Sequence, residues 1–200
     1  MAIEAPRPVF FYDLHSPYAY LAAERIPALL PEAELVPVLA GAIFKAAGRA
    51  SWALSDEREA GMREVETRAR ARGLPPIHWP EPWPGNSLRA MRAAVYAAEA
   101  GLGARFAREA FRIHFAEGRS LERAENIAAA AQRAGIDAEA TLAACEDVAV
   151  KAKLRANTDR ALARGVFGVP TVVVGGDVFW GDDGLGEAAA VAPAGLDARR

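Results

Sequence analysis

Ser16 followed by Pro17 is a strong helix start: a serine hydroxyl accepts from a backbone N–H in the first turn, and proline fits the first helical position. The cap alone, worth about 1 kcal/mol, accounts for the pair. A chemical reading stands beside it. A helix N-terminus offers unpaired N–H groups and the positive end of the peptide dipole, which suits an anion such as a thiolate. The dipole contributes ~0.3–1 kcal/mol, and up to ~2 only when partly buried, and a hydrogen bond from the Ser16 hydroxyl to charged sulfur ~1.5–3 kcal/mol. Together they lower a thiol pKa by roughly one and a half to three pH units from its free value of about 8.5. Ser16 then donates to sulfur and is not itself a nucleophile. The sulfur has to come from a ligand, because Ser16-Pro17-Tyr18-Ala19 holds no cysteine. The one cysteine of the chain, Cys145, is far off in sequence and reads as a small buried hydrophobe.

These residues need elements to hold them. Residues 7–14, Arg-Pro-Val-Phe-Phe-Tyr-Asp-Leu, form a strand-like run, and the stretch after Ser16 has apolar residues at helical spacing through Leu29. Residues 33–41 read as a second strand, with Pro37 arguing for an edge. That is β-α-β with a crossover long enough for parallel pairing. From 43 to 164 strand signals vanish, and helices are expected at 55–72, 87–100, 104–117, 121–134, 138–145 and 148–164. Gly165 supplies the stop. Then come Pro170, the β-rich Thr171-Val172-Val173-Val174, a Gly175-Gly176 turn and the returning Asp177-Val178-Phe179-Trp180, which together make a hairpin opened by a proline. A short helix at 184–191 closes the pattern.

The outer pieces, β-α-β and β-β-α, make a thioredoxin-like α/β fold with an all-helical insertion. The expected division is a discontinuous domain of residues 1–42 and 165–192, an insertion of 43–164, and a tail, 193–200, with little to anchor it.

The chain of 200 residues is 52% hydrophobic and 25% charged with a formal charge of −2, which suits one soluble domain and gives no electrostatic reason to expect nucleic acid or an anionic membrane. No apolar run is long enough to span a bilayer. The N-terminal residues carry no basic region followed by a cleavage site, and with a single cysteine a cytoplasmic location is expected. His15, His78 and His114 lack ligand spacing, so no metal site is expected, and there is no phosphate-binding glycine loop.

Residues 10–26, Phe-Phe-Tyr-Asp-Leu-His-Ser-Pro-Tyr-Ala-Tyr-Leu-Ala-Ala-Glu-Arg-Ile, together with Val-Phe-Gly-Val-Pro-Thr at 166–171 and Phe-Trp-Gly-Asp-Asp at 179–183, closely resemble the 2-hydroxychromene-2-carboxylate isomerases and the kappa-class glutathione transferases. The similarity runs over nearly the whole chain. It implies that glutathione, or another low-molecular-weight thiol, is held with its sulfur at Ser16. It further implies that Pro170 is a cis-proline opposite the helix N-terminus and frees the Val169 backbone to pair with the peptide. Trp180, Gly181, Asp182 and Asp183 match the segment for the γ-glutamyl end, where a carboxylate can accept an ammonium group; read without the resemblance, the two aspartates are an ordinary acidic turn.

Lys45, one of three lysines, stands where the isomerases place a lysine on the substrate carboxylate; alone it would be a solvated charge. Asn86 opens a helix near the implied substrate pocket and serves equally as a cap. Trp83, with Trp79, could floor an aromatic pocket or simply anchor a loop. His15 replaces a small or apolar residue of the relatives and suits a spacer or a substrate contact. Gly184 replaces an arginine, and Ser51-Trp52 lacks the isomerases' polar substrate contact.

The resemblance implies a glutathione-dependent cis–trans isomerase acting by reversible thiolate addition to a conjugated aromatic carboxylate. The alternatives are a kappa-class-like transferase, which keeps the adduct, and a non-catalytic thiol-binding protein. A homodimer is suggested by the resemblance alone.

Overall fold

Val-Phe-Phe-Tyr at 9–12 is apolar on both faces of a strand, and both faces are covered: all four side chains of β1 (Val9–Tyr12) are buried. In the computed structural model, which describes residues 7–192, β1 is central in a four-stranded sheet of order β2-β1-β3-β4. It pairs in parallel with β2 (Glu34–Pro37), Tyr12 opposite Pro37, and antiparallel with β3 (Thr171–Val174), Phe10 opposite Val172. β3 pairs antiparallel with β4 (Asp177–Trp180), with Val174 opposite Asp177 across the Gly175-Gly176 turn. Gly175 takes a φ of 61°, where glycine is unstrained. Pro37 sits on an edge strand as expected, since proline cannot donate to a ladder.

Side-chain alternation sorts the sheet into two layers. Phe10, Tyr12, Val172 and Val174 face the larger core with α1 (Pro17–Ala23), α5 (Leu88–Glu99), α6 (Gly103–Phe111), α7 (Ala124–Ala134), α8 (Ala138–Ala144) and α10 (Gly184–Val191). Val9, Phe11 and Val173 face a smaller core with Ile43 of α3 (Ala40–Ala46) and Ala161 of α9 (Val148–Ala163). The thioredoxin-like fold with a helical insertion is thus present, and the first and last helices of the long insert supply one layer of the sheet core.

Three local departures have identifiable causes. The first helix breaks into α1 and α2 (Ile26–Leu29) because Pro27 lacks an N–H and its ring opposes the carbonyl four residues back. The strand expected at 33–41 ends at Pro37, and the chain is already helical at Ala40, whose N–H donates to the Asp13 carboxylate at 3.0 Å. Residues 104–117 form α6 only to Phe111, after which Arg112–Ala116 is a π-helical turn. α4 (Arg58–Ala71) completes the set. The tail expected at 193–200 lies outside the described residues. Among the described residues no helix is long and apolar enough to cross a membrane.

Candidate functional site: a two-chambered cleft at the start of α1

Ser16 is the N-cap of α1, with Pro17 at the first helical position and the serine hydroxyl accepting from the Ala19 N–H at 3.2 Å. The cap reading is therefore correct, and it does not exclude the chemical one. Ser16 is half-buried and lines a cavity of about 660 Å³, and its hydroxyl hydrogen remains free to donate. Val169 lines the same cavity, and the Val169-Pro170 peptide is cis. Among the described residues neither the N–H nor the carbonyl of Val169 pairs with another backbone group, whereas the Pro170 carbonyl accepts from Gly181 N–H at 2.9 Å.

A second cavity of about 530 Å³ adjoins the first, with Tyr18, Phe44, Arg49, Trp52 and Val169 lining both. Its far wall is Pro170, Trp180, Gly181, Asp182 and Asp183. Asp182 is 1% exposed and Asp183 points outward. Arg68 of α4 donates to Asp182 at 2.8 Å and also to Asp183, while Arg72 pairs with both. Burial pushes the Asp182 carboxyl upward, against the pull of Arg72 and Arg68. The acidic pair thus arrives with two guanidinium partners, and of the two carboxylates Asp183 is the one open to a ligand ammonium. Tyr18 lies under the Arg68 guanidinium, 5.5 Å from its ring centre. Burial and the nearby Glu64 raise its hydroxyl to about 12, so it stays a neutral donor.

The first chamber is aromatic and cationic. Trp83, 5% exposed, donates its indole N–H to the His15 carbonyl at 3.3 Å and packs against Trp52 and Trp79, with ring centres 5.4 and 4.4 Å away. Trp52 lies across Gly61 of α4, where any Cβ would overlap the indole. Lys45, in the last turn of α3, is exposed and lines this chamber; Lys151 by contrast is paired with Glu146. Asn86 lines it too, but its side-chain oxygen, one residue before the Ser87 N-cap, accepts from the first N–H of α5, Leu88, at 2.9 Å. The fold therefore brings Ser16, Lys45, Trp83, Asn86 and Val169 to one chamber, and Val169, Pro170 and residues 180–183 to the other.

Asp13 and Arg49 at the cleft, and His114 behind it, carried no signal in the sequence, and the partner of His15 was not foreseen. Asp13, 3% exposed, accepts from His15 N–H, Ala40 N–H and the Ser87 hydroxyl, each at 3.0 Å. His15 stacks on His114, ring centres 4.4 Å apart, and His114 sits on the π-helical turn. The His114 Nδ1 lies 3.3 Å from the Leu121 N–H and 3.4 Å from the Arg119 carbonyl. Burial lowers the pKa of both; Asp13 opposes this at His15, and the neighbouring His15 adds to it at His114. Arg49 bridges the two chambers, its guanidinium over Trp180 and Phe167. An Asp at a strand end and two histidines 99 positions apart look unremarkable until the fold pairs them.

Gly184 also gains a reason. A Cβ there would lie 3.2 Å from the Phe179 carbonyl carbon, a tight approach that a larger residue would meet only with a shift of a few tenths of an ångström.

The architecture has known counterparts. Among solved structures, 2-hydroxychromene-2-carboxylate isomerase is similar with a TM-score of 0.81 at 23% identity, covering 92% of each chain. A probable DsbA oxidoreductase from Streptomyces coelicolor has a TM-score of 0.74 at 21% identity, over 96% of this chain and 93% of that one. The cytosolic disulfide reductase DsbM from Pseudomonas aeruginosa, in a structure with GSH, has a TM-score of 0.61 at 19% identity, over 86% and 87%. A sequence search of curated proteins finds no match. The family model for the DSBA-like thioredoxin domain matches residues 9–190, a span that holds both the sheet and the whole cleft, and the chain accordingly belongs to the DSBA-like thioredoxin domain family.

Proposed function

We propose that this protein is a glutathione-dependent isomerase of the 2-hydroxychromene-2-carboxylate type, acting on a conjugated aromatic carboxylate. The observation that carries the reading is the pair of adjoining chambers that share Tyr18 and Val169, with Ser16 on the wall of the first. One has a polar, zwitterion-compatible far wall; the other is aromatic, with a lysine at its edge. The isomerase likeness supports the same reading, as does the DsbM structure with GSH.

A peptidic thiol fits the second chamber by the groups present, a Val169 backbone without backbone partners among the described residues for its amides and Asp183 for an ammonium, with its sulfur extending into the first chamber to Ser16. A bound thiolate would supply a nucleophile for reversible addition to the conjugated double bond, which could rotate as a single bond until the thiolate is expelled and the double bond restored. The chain's own part is to hold that sulfur ionised through the Ser16 hydroxyl and the N-terminus of α1. Lys45 neutralises the substrate carboxylate, while Trp83 and Trp52 give the ring an apolar wall that excludes water. Thiol–disulfide exchange through a Cys-x-x-Cys pair is not open to this chain, whose one cysteine, Cys145, is fully buried with its thiol raised by burial.

The test is an ultraviolet titration of thiolate absorbance for glutathione bound to the protein. Wild type is expected to show a thiol pKa well below the free value, and Ser16→Ala to raise it by about one to two pH units. Equal pKa values in the two proteins would remove Ser16 as the sulfur donor. With turnover of chromene carboxylates, recovery of free glutathione marks the isomerase, and accumulation of a stable conjugate marks a transferase.

A further inference from the structure

Three tryptophans meet beside the first chamber, and the fold uses their indole N–H groups differently. Trp79 donates to Glu66 at 2.7 Å and Trp83 to the His15 carbonyl at 3.3 Å. The Trp52 N–H has no acceptor among the described residues, and its nitrogen keeps solvent access. An indole N–H is a donor and nothing else, so only an acceptor can satisfy it.

The Trp52 ring is also fixed in place. Its six-membered part lies over Gly61 of α4, the one residue type that leaves room for it. Tyr18 packs edge-on with ring centres 6.0 Å apart, and Trp83 lies 5.4 Å away. The backbone is a 3₁₀ turn, Trp52–Leu54, tied at both ends. The Ser51 hydroxyl accepts from Ala53 N–H at 3.3 Å, and the Ser55 hydroxyl donates to the Trp52 carbonyl at 2.9 Å. A donor held this way needs no reorganisation when negative charge develops in front of it. Trp52 lines both chambers, where two reactants would meet. Of the other polar side chains that do so, Ser51 caps the turn, Tyr18 lies under Arg68 beside Glu64, and Arg49 lies over Trp180 of the second chamber's far wall.

We propose that Trp52 is a catalytic residue of the isomerisation, its indole N–H donating to the substrate carbonyl oxygen that is conjugated with the reacting double bond. This rests on the isomerase reading above and adds the group that meets the displaced charge. As the carbon–sulfur bond forms, an electron pair shifts through the conjugated system onto that oxygen, where the N–H stabilises it. The pair returns as the carbon–sulfur bond breaks, and no proton leaves Trp52.

The experiment is difference spectroscopy of trans-benzylidenepyruvate bound to the full chain with S-methylglutathione, which has no thiol to add, in wild type, Trp52→Phe and Gly61→Ala. A hydrogen bond to the conjugated carbonyl moves the near-ultraviolet band of this probe to longer wavelength. Wild type is expected to show that shift. Trp52→Phe, which keeps an aromatic ring but no N–H, should bind the probe and lose the shift; Gly61→Ala, which keeps the N–H but displaces the indole, should lose it too. In turnover of chromene carboxylates with glutathione, Trp52→Phe should lower kcat about a hundredfold and leave the pKa of the bound thiol at its wild-type value. A shift that survives in Trp52→Phe overturns the proposal, as does wild-type kcat in that variant. Weaker binding of S-methylglutathione to Trp52→Phe also overturns it, by giving the N–H to the thiol. If wild type binds the probe without a shift, Trp52 fails and the isomerase reading stands; if it binds no probe, the substrate site fails and the Trp52 proposal falls with it.

Discussion

A carboxylate with 3% exposure needs donors, and Asp13 finds three: the turn before Ser16, the start of α3 and the start of α5. Its position at the end of β1 lets one side chain set the distance between the Ser16 helix and the helix that carries Lys45. Removing it strands two backbone N–H groups and a hydroxyl in a buried junction. Asp13→Ala is expected to lower stability by roughly 3–5 kcal/mol, and Asp13→Asn, which keeps part of the acceptor set, by about half as much; chemical denaturation checks both. A loss under about 1 kcal/mol for the alanine variant would mean that water replaces the carboxylate and that the junction is wet.

At the scale of elements, the hairpin is held to the preceding loop by a close approach that only glycine permits. A Cβ on Gly168 would lie 2.5 Å from the Trp180 indole nitrogen. Gly168→Ala is therefore expected to cost about 1–3 kcal/mol by overpacking, and a Trp180→Ala background should relieve most of that cost in a double-mutant cycle measured by thermal unfolding. An unchanged penalty in the double variant would locate the strain in the backbone instead.

The hairpin, the Pro170 threshold and the helix at 184–191 were legible in the sequence, since a Gly-Gly turn between β-rich runs and a helical period are local signals. So was the Ser16 cap. The break at Pro27 was also written locally, but the apolar spacing through Leu29 masked it. The π-helical turn at Arg112 and the His15–His114 stack were not legible, because each depends on what the insert packs against. The partners of Asp182 belong to the same class: nothing in Arg68 or Arg72 announces a carboxylate more than a hundred positions away.

For the whole molecule, the buried histidine pair makes stability depend on pH. Both rings have pKa values lowered from 6.5 by burial, so the folded state favours the neutral forms while an unfolded chain takes up protons at the ordinary value. The unfolded state then binds more protons below about pH 6.5, and stability falls as pH drops from there towards the lower pKa of the folded protein. Two such groups give a slope approaching 2.7 kcal/mol per pH unit. Melting temperatures from pH 7.5 to 5 should fall accordingly, and His114→Gln should flatten the profile by about half. A profile unaltered by that substitution would assign the acid sensitivity to other groups.

The central position of β1 also governs the order in which the molecule can be assembled. One edge of β1 meets β2 soon after synthesis, but the other waits for β3, on the far side of the whole helical insert. A nascent chain on the ribosome therefore carries Ser16 and Lys45 long before Val169 and the acidic turn exist, with a bare strand edge in the interval. Half a cleft is all that a fragment ending within the insert can form. The same wiring makes β1 and β3 neighbours across the whole insert, so a protease cut between β3 and β4 would injure the cleft more than one in a loop of the insert far from it.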